Sequence, residues 1–193
     1  MTGLPIQPID EELQTLQREV QRMLGRCLLR LQQYEKLMKA IVAHHEISAS
    51  GSPLESNRAE RIADAANKTL GTLVGTLLGT YVTSGEQDEV AEPDAPDNII
   101  SFKMKMSLRM SAEDFDTTQN DLKELVLLRN NLVHHFIDQH DLWSLDGCRG
   151  AQESLAAAYS RVDQHFEQLR GWAEHMDQAR RLAAEFARSA AFR

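Results

Sequence analysis

The stretch LQTLQREVQRMLGRCLLRLQQYEKLMKAI, residues 13–41, carries an apolar residue at every seventh position. Apolar residues at this spacing lie on one face of an α-helix, which can then be buried against other helices. A second apolar set falls four places after the middle three members of the first. Together the two sets predict a helix from about Asp10 to Ile47 that packs on more than one neighbour. The first set is Leu13, Val20, Cys27, Tyr34 and Ile41, and the second is Leu24, Leu31 and Met38.

The same seven-residue repeat returns near the end of the chain and predicts a last helix from about Ala151 to Ala190. Two further helices are predicted between these, over residues 54–81 and from Ser111 to about Gln139. Ser111 and Asp114 have the spacing of a capping box, which marks the start of a helix. Four long helices predict an all-α fold, a helical bundle that forms a single domain over residues 1–193. The apolar positions of the last repeat are Leu155, Val162, Leu169, Met176 and Ala183.

The segments between these helices are less regular. Residues 48–53 (SASGSP) are expected to stop the first helix, because glycine and proline both break helices. Residues 83–98 hold six acidic residues and two prolines, and this composition predicts a mobile acidic loop. In IISFKMKMSLRM, residues 99–110, apolar and polar residues alternate, which predicts a short inserted strand. Its pairing partner remains open at this point, and could come from the loop region or from a second chain. Residues 141–150 (DLWSLDGCRG) predict a turn-rich connection.

Three glycines lie four residues apart in the predicted second helix: Gly71, Gly75 and Gly79. In a helix they form a ridge without side chains, along which a second backbone can approach closely. The absence of a following lysine in the required order argues against a phosphate-binding glycine loop. The glycines therefore predict tight helix packing within the bundle.

The composition limits the possible functions. A net charge of −8 excludes a nucleic-acid coat protein that depends on a basic surface, although it allows a local cationic site. Cys27 and Cys148 are far apart in sequence and fit no metal or redox spacing, which indicates reduced thiols. The N-terminal residues do not resemble a signal peptide, and the longest apolar stretch is too short to span a membrane. We expect a cytoplasmic protein that does not associate with membranes.

Polar groups interrupt the apolar face of the third predicted helix in LVLLRNNLVHHF, residues 125–136. Asn130 and His134 are four residues apart and therefore adjacent on a helix. Arg129 precedes His134 by five residues, and its long side chain can reach the same place. A guanidinium grips two phosphate oxygens, and an imidazole exchanges a proton near neutral pH. These groups suffice for metal-independent RNA cleavage, which needs a base, an acid and a cation to stabilise charge on the phosphorus.

Other interpretations of these residues are simpler. Arg129 and His134 can make purely structural hydrogen bonds, and the same spacing recurs by accident at Arg170 and His175. His134 and His135 point about 100° apart in a helix, so the two cannot readily ligate one metal ion. His135 is a secondary candidate for contact with RNA. We expect no metal and no cofactor.

The string RNNLVHHF resembles the motif of the HEPN superfamily (higher eukaryotes and prokaryotes nucleotide-binding domain), commonly R-N-x-L-V-H. The matching positions are Arg129, Asn130 and His134, and the resemblance covers only the third helix. HEPN proteins are helical bundles that often dimerise with their motif helices facing one another. Many are metal-independent ribonucleases of toxin–antitoxin, phage-defence or CRISPR-linked systems, and some are inactive binding modules.

The resemblance implies a homodimeric endoribonuclease with RNA as its substrate and with Arg129, Asn130 and His134 as catalytic residues. It also implies an antitoxin or another defence-system protein as a partner. In related toxins a tyrosine two places after the histidine accepts a nucleotide, but here that position is Phe136, which has no hydroxyl group to modify. The alternative that the family offers is a non-catalytic helical dimer that binds a nucleotide or a protein.

Overall fold

The computed structural model describes residues 8–50, 54–85 and 101–190, and most of these are helical. The predicted all-α fold with a short strand-bearing insertion is confirmed. The helices are α1 (Pro8–His44), α2 (Leu54–Ala66), α3 (Leu70–Thr80), α4 (Ala112–Asn130), α5 (Phe136–Gln139) and α6 (Leu145–Ala190). A single π-helical turn, Asn131–His135, connects α4 to α5. The strands are β1 (Glu46–Ser50), β2 (Val82–Ser84), β3 (Ser101–Lys105) and β4 (Leu108–Met110).

The seven-residue repeats of α1 and α6 are buried, as the sequence predicts. Burial of such stripes removes apolar surface from water at roughly 25 cal/mol per Å², which is the main free energy that holds helices together. The buried members are Val20, Cys27, Tyr34 and Ile41 on α1, and Leu155, Val162, Leu169 and Met176 on α6.

The chain divides into two compact units. The first unit consists of Met1–Tyr34 and Leu125–Glu167, and the second of Glu35–Glu124 and Gln168–Arg193. Helices α1, α4 and α6 therefore each supply residues to both units. The single domain expected from the sequence stays a prediction.

In the first unit, α1 and α6 contact each other through polar as well as apolar groups. The Cys27 thiol donates to the carbonyl oxygen of Leu155 at 3.5 Å. Arg30 donates to the carboxylate of Asp163 and lies 3.8 Å above the centre of the Phe166 ring. Residue numbers rise together along both helices in these contacts, so the two helices run in the same direction here.

The predicted second helix, 54–81, is wrong as one continuous element. It ends at Ala66 and restarts at Leu70, where the Thr69 hydroxyl accepts a hydrogen bond from the Thr72 backbone N–H. A threonine that caps in this way offers the chain a new helix start. The break also changes which residues are buried: Leu70 is buried, whereas Ile62, placed on the same face by the prediction, is exposed.

The predicted packing against the glycine ridge is not found. A Cβ built on Gly75 or Gly79 meets no heavy atom of the described residues within 4 Å. The buried face of α3 consists instead of Leu70, Leu73, Val74 and Leu77, so these two glycines lie on the opposite, exposed side.

The alternating segment 99–110 forms two strands where one was predicted. β3 pairs antiparallel with β1, and β4 pairs parallel with β2, so both partners belong to the same chain. The first helix ends at His44, before the stretch 48–53 that was expected to stop it. Residues 48–50 lie in β1, and residues 51–53 fall outside the described residues. The acidic segment 83–98 begins in β2, and its part from residue 86 onward also lies outside them.

The N-termini of α4 and α6 are both capped by serine. At α4 the predicted capping residues are confirmed, since the Ser111 hydroxyl accepts from the Asp114 N–H at 3.0 Å. The start predicted for the last helix, Ala151, is wrong, because α6 begins at Leu145. There the Ser144 hydroxyl accepts from the Gly147 N–H at 3.1 Å, which lets the helix begin within the segment predicted as turns.

Gly147 and Gly150 on the first turns of α6 differ in the space around them, and this difference can be tested. A Cβ at Gly147 would lie 1.9 Å from the carbonyl oxygen of Asp141, whereas one at Gly150 meets nothing within 4 Å. We expect Gly147→Ala to lower the free energy of unfolding by about 1–3 kcal/mol, because backbone must move. Gly150→Ala should raise it by up to about 1 kcal/mol. Urea denaturation measures both, and equal effects of the two variants would contradict this packing.

Candidate functional site

The predicted motif residues lie where α4 changes into the π-helical turn. The backbone of a π-turn bonds residue i to residue i+5, and such single turns are frequent at functional sites. In a regular α-helix, residues five apart point about 140° away from each other. A π-turn brings such residues closer to alignment. The turn Asn131–His135 therefore places Arg129 and His134 on the same side of the helix.

One nitrogen of Arg129 contacts both other motif residues. Its Nη1 donates to Asn130 Oδ1 at 3.2 Å and lies 3.3 Å from His134 Nε2. A guanidinium has no acceptor, so His134 Nε2 must accept this hydrogen bond through its lone pair. The structure thus brings the three predicted residues together. Asn130 contacts Arg129 through its side-chain oxygen.

The second Arg-x4-His spacing in the chain provides an internal comparison. Arg170 and His175 both lie in the regular α-helical part of α6, and no hydrogen bond joins them in the described structure. Arg170 Nε is instead 3.9 Å from the carboxylate of Glu174. The spacing alone therefore does not produce the contact, and the π-turn accounts for the difference.

Exposure differs among the motif residues. Arg129 and Asn130 are half-buried, and His134 is exposed. His135 is exposed as well, with its ring centre 6.3 Å from that of His134 and its Nδ1 4.0 Å from the carboxylate of Asp138. The backbone of His135 leaves helical geometry, with φ −127° and ψ 0°. The two histidines thus present different edges to solvent.

Buried side chains anchor the same segment from its other side. Leu132 and Phe136 are in the core, and the Phe136 ring lies 4.7 Å from the His140 ring. Phe136 is the residue two places after His134. In this chain that position is buried, so its side chain is a packing residue.

A pocket of about 290 Å³ lies beside the motif in the first unit, and sequence reasoning missed it. Its walls are formed by residues of α4, the π-turn, α5 and α6, and they include both apolar and polar side chains. Arg129, Asn130 and His134 do not line it, so their expected place in a cleft completed by a second subunit stays a prediction. Asn131, the second asparagine of the motif string, is a polar residue from which this pocket could have been predicted. The lining residues are Leu128, Asn131, Leu132, Phe136, Gln139, Ser154, Ala157, Ala158 and Arg161.

Cys27 and Cys148 are free and buried, and burial raises the pKa of both thiols. In the part of the chain that the structure describes, no group of three or more His, Cys, Asp or Glu side chains is placed to hold a metal ion. No described helix is long and apolar enough to cross a membrane.

Comparisons with models of protein families, with curated proteins and with solved structures return no match for this chain.

The hydrogen bond between Arg129 and His134 determines where the neutral imidazole carries its proton. With Nε2 as the acceptor, the proton must be on Nδ1. We expect ¹⁵N NMR at alkaline pH to find the Nδ1–H tautomer at His134, and to find a shift toward Nε2–H in Arg129→Gln. His175, which has no such bond, should not respond to that substitution. An Nε2–H tautomer in the wild-type protein would contradict the contact.

Proposed function

We propose that this chain is a metal-independent endoribonuclease of a toxin–antitoxin or phage-defence system, active as a homodimer. The observation that carries the proposal is the hydrogen bond from Arg129 Nη1 to His134 Nε2 at the π-turn. It joins a phosphate-binding cation to a proton-transfer group at the positions of the HEPN-like motif. The accidental copy of the spacing at Arg170 and His175 lacks this contact, which supports a specific role for the first pair.

In the proposed reaction the Arg129 guanidinium turns from His134 Nε2 to the phosphate of the RNA, and the freed Nε2 removes the proton of a ribose 2′-hydroxyl group. The 2′-oxygen then attacks the adjacent phosphorus, and the bond to the 5′-oxygen of the next nucleotide breaks. That oxygen takes a proton from the protonated His134 of a second subunit. The products are a 2′,3′-cyclic phosphate and a 5′-hydroxyl end. Arg129 binds the phosphate and stabilises the charge that develops on its oxygens, for which a guanidinium is well suited.

The surroundings of the motif support a dimer that places two copies of His134 close together. Large apolar side chains on both sides of Asn130 and His134 are exposed: Leu127 by 62% and Ile137 by 76%, with Val133 between them. Exposed apolar patches on a helix are typical of surfaces that bind another protein. Since β3 and β4 pair with strands of the same chain, neither needs a strand from a second subunit as its partner. The dimer proposal therefore rests on this helix face.

The alternative function is a non-catalytic helical dimer that binds a nucleotide or a protein. One observation favours it: the pocket of about 290 Å³ lies beside the motif and is not lined by Arg129 or His134. A pocket that combines apolar walls with a few polar groups is typical of small-ligand sites.

The cleavage assay separates these two functions. We expect the wild-type protein to cut RNA in EDTA, and His134→Ala to lose a factor of about 10²–10⁴ in rate, since a positioned acid–base group is removed. Arg129→Lys should also be strongly impaired, because an ammonium cannot reproduce the guanidinium fork. The rate is followed on a labelled oligoribonucleotide, and circular dichroism checks that both variants are folded.

The matched control is His175→Ala, which removes the histidine of the accidental spacing and should cut RNA at the wild-type rate. Activity that disappears with chelator, or that survives in His134→Ala, would rule out the mechanism. A folded protein that cuts no RNA would favour the binding function.

The dimer surface can be tested with two substitutions at similarly exposed leucines. Leu127→Glu places a charge beside the motif, whereas Leu29→Glu places one on α1, where Leu29 is 61% exposed. We expect light scattering at micromolar concentration to give twice the chain mass of 21.8 kDa for the wild type and Leu29→Glu. Leu127→Glu should give a single chain mass and lose cleavage. A wild-type protein of single mass would refute the dimer.

A further inference from the structure

Two arginines meet in the second unit, at the point where α1 ends and β1 begins. Arg180 on α6 donates from Nη2 to the carbonyl oxygen of His44 at 2.9 Å. Arg61 on α2 donates from Nη2 to the carbonyl oxygen of Glu46. These carbonyl groups are two residues apart in the chain, and both guanidinium groups act on His44 as positive charges.

A third arginine extends this cluster toward solvent. Arg58 precedes Arg61 by one helical turn and therefore projects from the same side of α2. It is exposed, whereas Arg61 and Arg180 are half-buried. Together these residues form the arginine cluster, Arg58, Arg61 and Arg180, built from two helices around the end of a third.

Positive charges outnumber negative charges near this point, although Arg61 Nη1 lies 3.9 Å from the Glu46 carboxylate. The pKa of His44 is lowered by burial first and then by the positive charges of the three arginines, with Asp177 opposing them. Next to it, burial lowers the pKa of His45, on which Arg61 and Lys105 also act as cations and Glu46 as an anion. Cations therefore outnumber the carboxylates that act on these histidines, although the whole chain has a net charge of −8.

The hydrogen bonding of the two inner arginines is incomplete. Arg61 Nε and Arg180 Nε are buried, and neither has a hydrogen-bond partner among the described residues. A buried donor without a partner is unfavourable, and so is the crowding of like charges. A bound anion would offset the crowding of positive charge.

We propose that the arginine cluster binds a phosphate group. Guanidinium groups grip phosphate oxygens through paired N–H donors, and they surpass lysine in such sites because their donors are held in a planar fork. Exposed Arg58 makes the first contact, and Arg61 and Arg180 supply the fixed positive charge behind it. A phosphodiester of an RNA strand and the phosphate of a free nucleotide share this chemistry. The proposal is independent of catalysis at Arg129 and His134, which belong to the first unit.

Inorganic phosphate tests the site directly, in full-length protein carrying His134→Ala so that no RNA is cut. At constant ionic strength we expect phosphate to raise the melting temperature with a saturable dependence on its concentration. Arg58→Gln should weaken the apparent affinity about tenfold, because a charge-assisted contact is lost. Arg58→Lys should retain part of it. Phosphate also stabilises proteins in general through exclusion from their surfaces, but that effect does not saturate and does not depend on Arg58.

The matched control is Arg188→Gln, which removes an exposed arginine of α6 whose Nε bonds the Ala184 carbonyl oxygen. It should respond to phosphate as the parent protein does. Absence of a saturable response, or an equal response in Arg58→Gln, would overturn the proposal.

Fluorescence anisotropy with a labelled single-stranded oligoribonucleotide then identifies the source of the phosphate. If Arg58→Gln weakens binding of the oligonucleotide, and a 5′-mononucleotide competes poorly for the site, the cluster binds the RNA backbone. If the mononucleotide itself saturates the site, the cluster binds a free nucleotide. Each result supports a phosphate site, whereas ligand binding that is unchanged by Arg58→Gln would overturn it. Because every measurement uses the His134→Ala protein, failure of RNA cleavage would leave these results unaffected.

Discussion

The structure depends on the burial of one apolar stripe along each of its two longest helices. Helices α1 and α6 are separated by about a hundred residues of chain, yet Cys27 and Leu155 meet in the core of the first unit. Neither helix can cover its own stripe, so each needs the other elements to remove it from water. The polar contacts around the stripes, such as Arg30 with Asp163, determine which residues face each other and thereby set the alignment.

The candidate site uses this packing as a support. Leu132 and Phe136 hold the π-turn segment in the core, and His134 lies between them on the exposed side. A regular helix with the same buried anchors would turn Arg129 away from His134. The unusual backbone turn therefore couples the fold to the chemistry of the motif. It allows one segment to serve both as a core element and as the carrier of polar groups on the surface.

The residues that were predicted correctly are those whose signal is local. The seven-residue repeats and the Ser111 cap follow from spacing along one helix. The nearness of Arg129 to His134 was expected from the reach of the arginine side chain, but the π-turn provides it. The pairing of β1 with β3 joins residues 46–50 to residues 101–105, and no local pattern reveals a partner at that distance. The break at Thr69 and the early start of α6 depend on single capping hydroxyl groups within otherwise ambiguous stretches. The π-turn is a change of backbone register that the order of apolar and polar residues in the motif does not reveal.

The division of the first unit into two distant segments has a consequence for the order in which the protein can form during synthesis. Residues up to Tyr34 leave the ribosome long before Leu125, and the unit needs both segments. At roughly 5–20 residues per second, this interval lasts roughly 5 to 20 s. During that time the apolar stripe around Cys27 has no partner from the second segment, which makes the nascent chain a natural client for chaperones. The motif helix likewise cannot settle into its unit until residues near Glu167 have emerged, so its surface is assembled only late in translation.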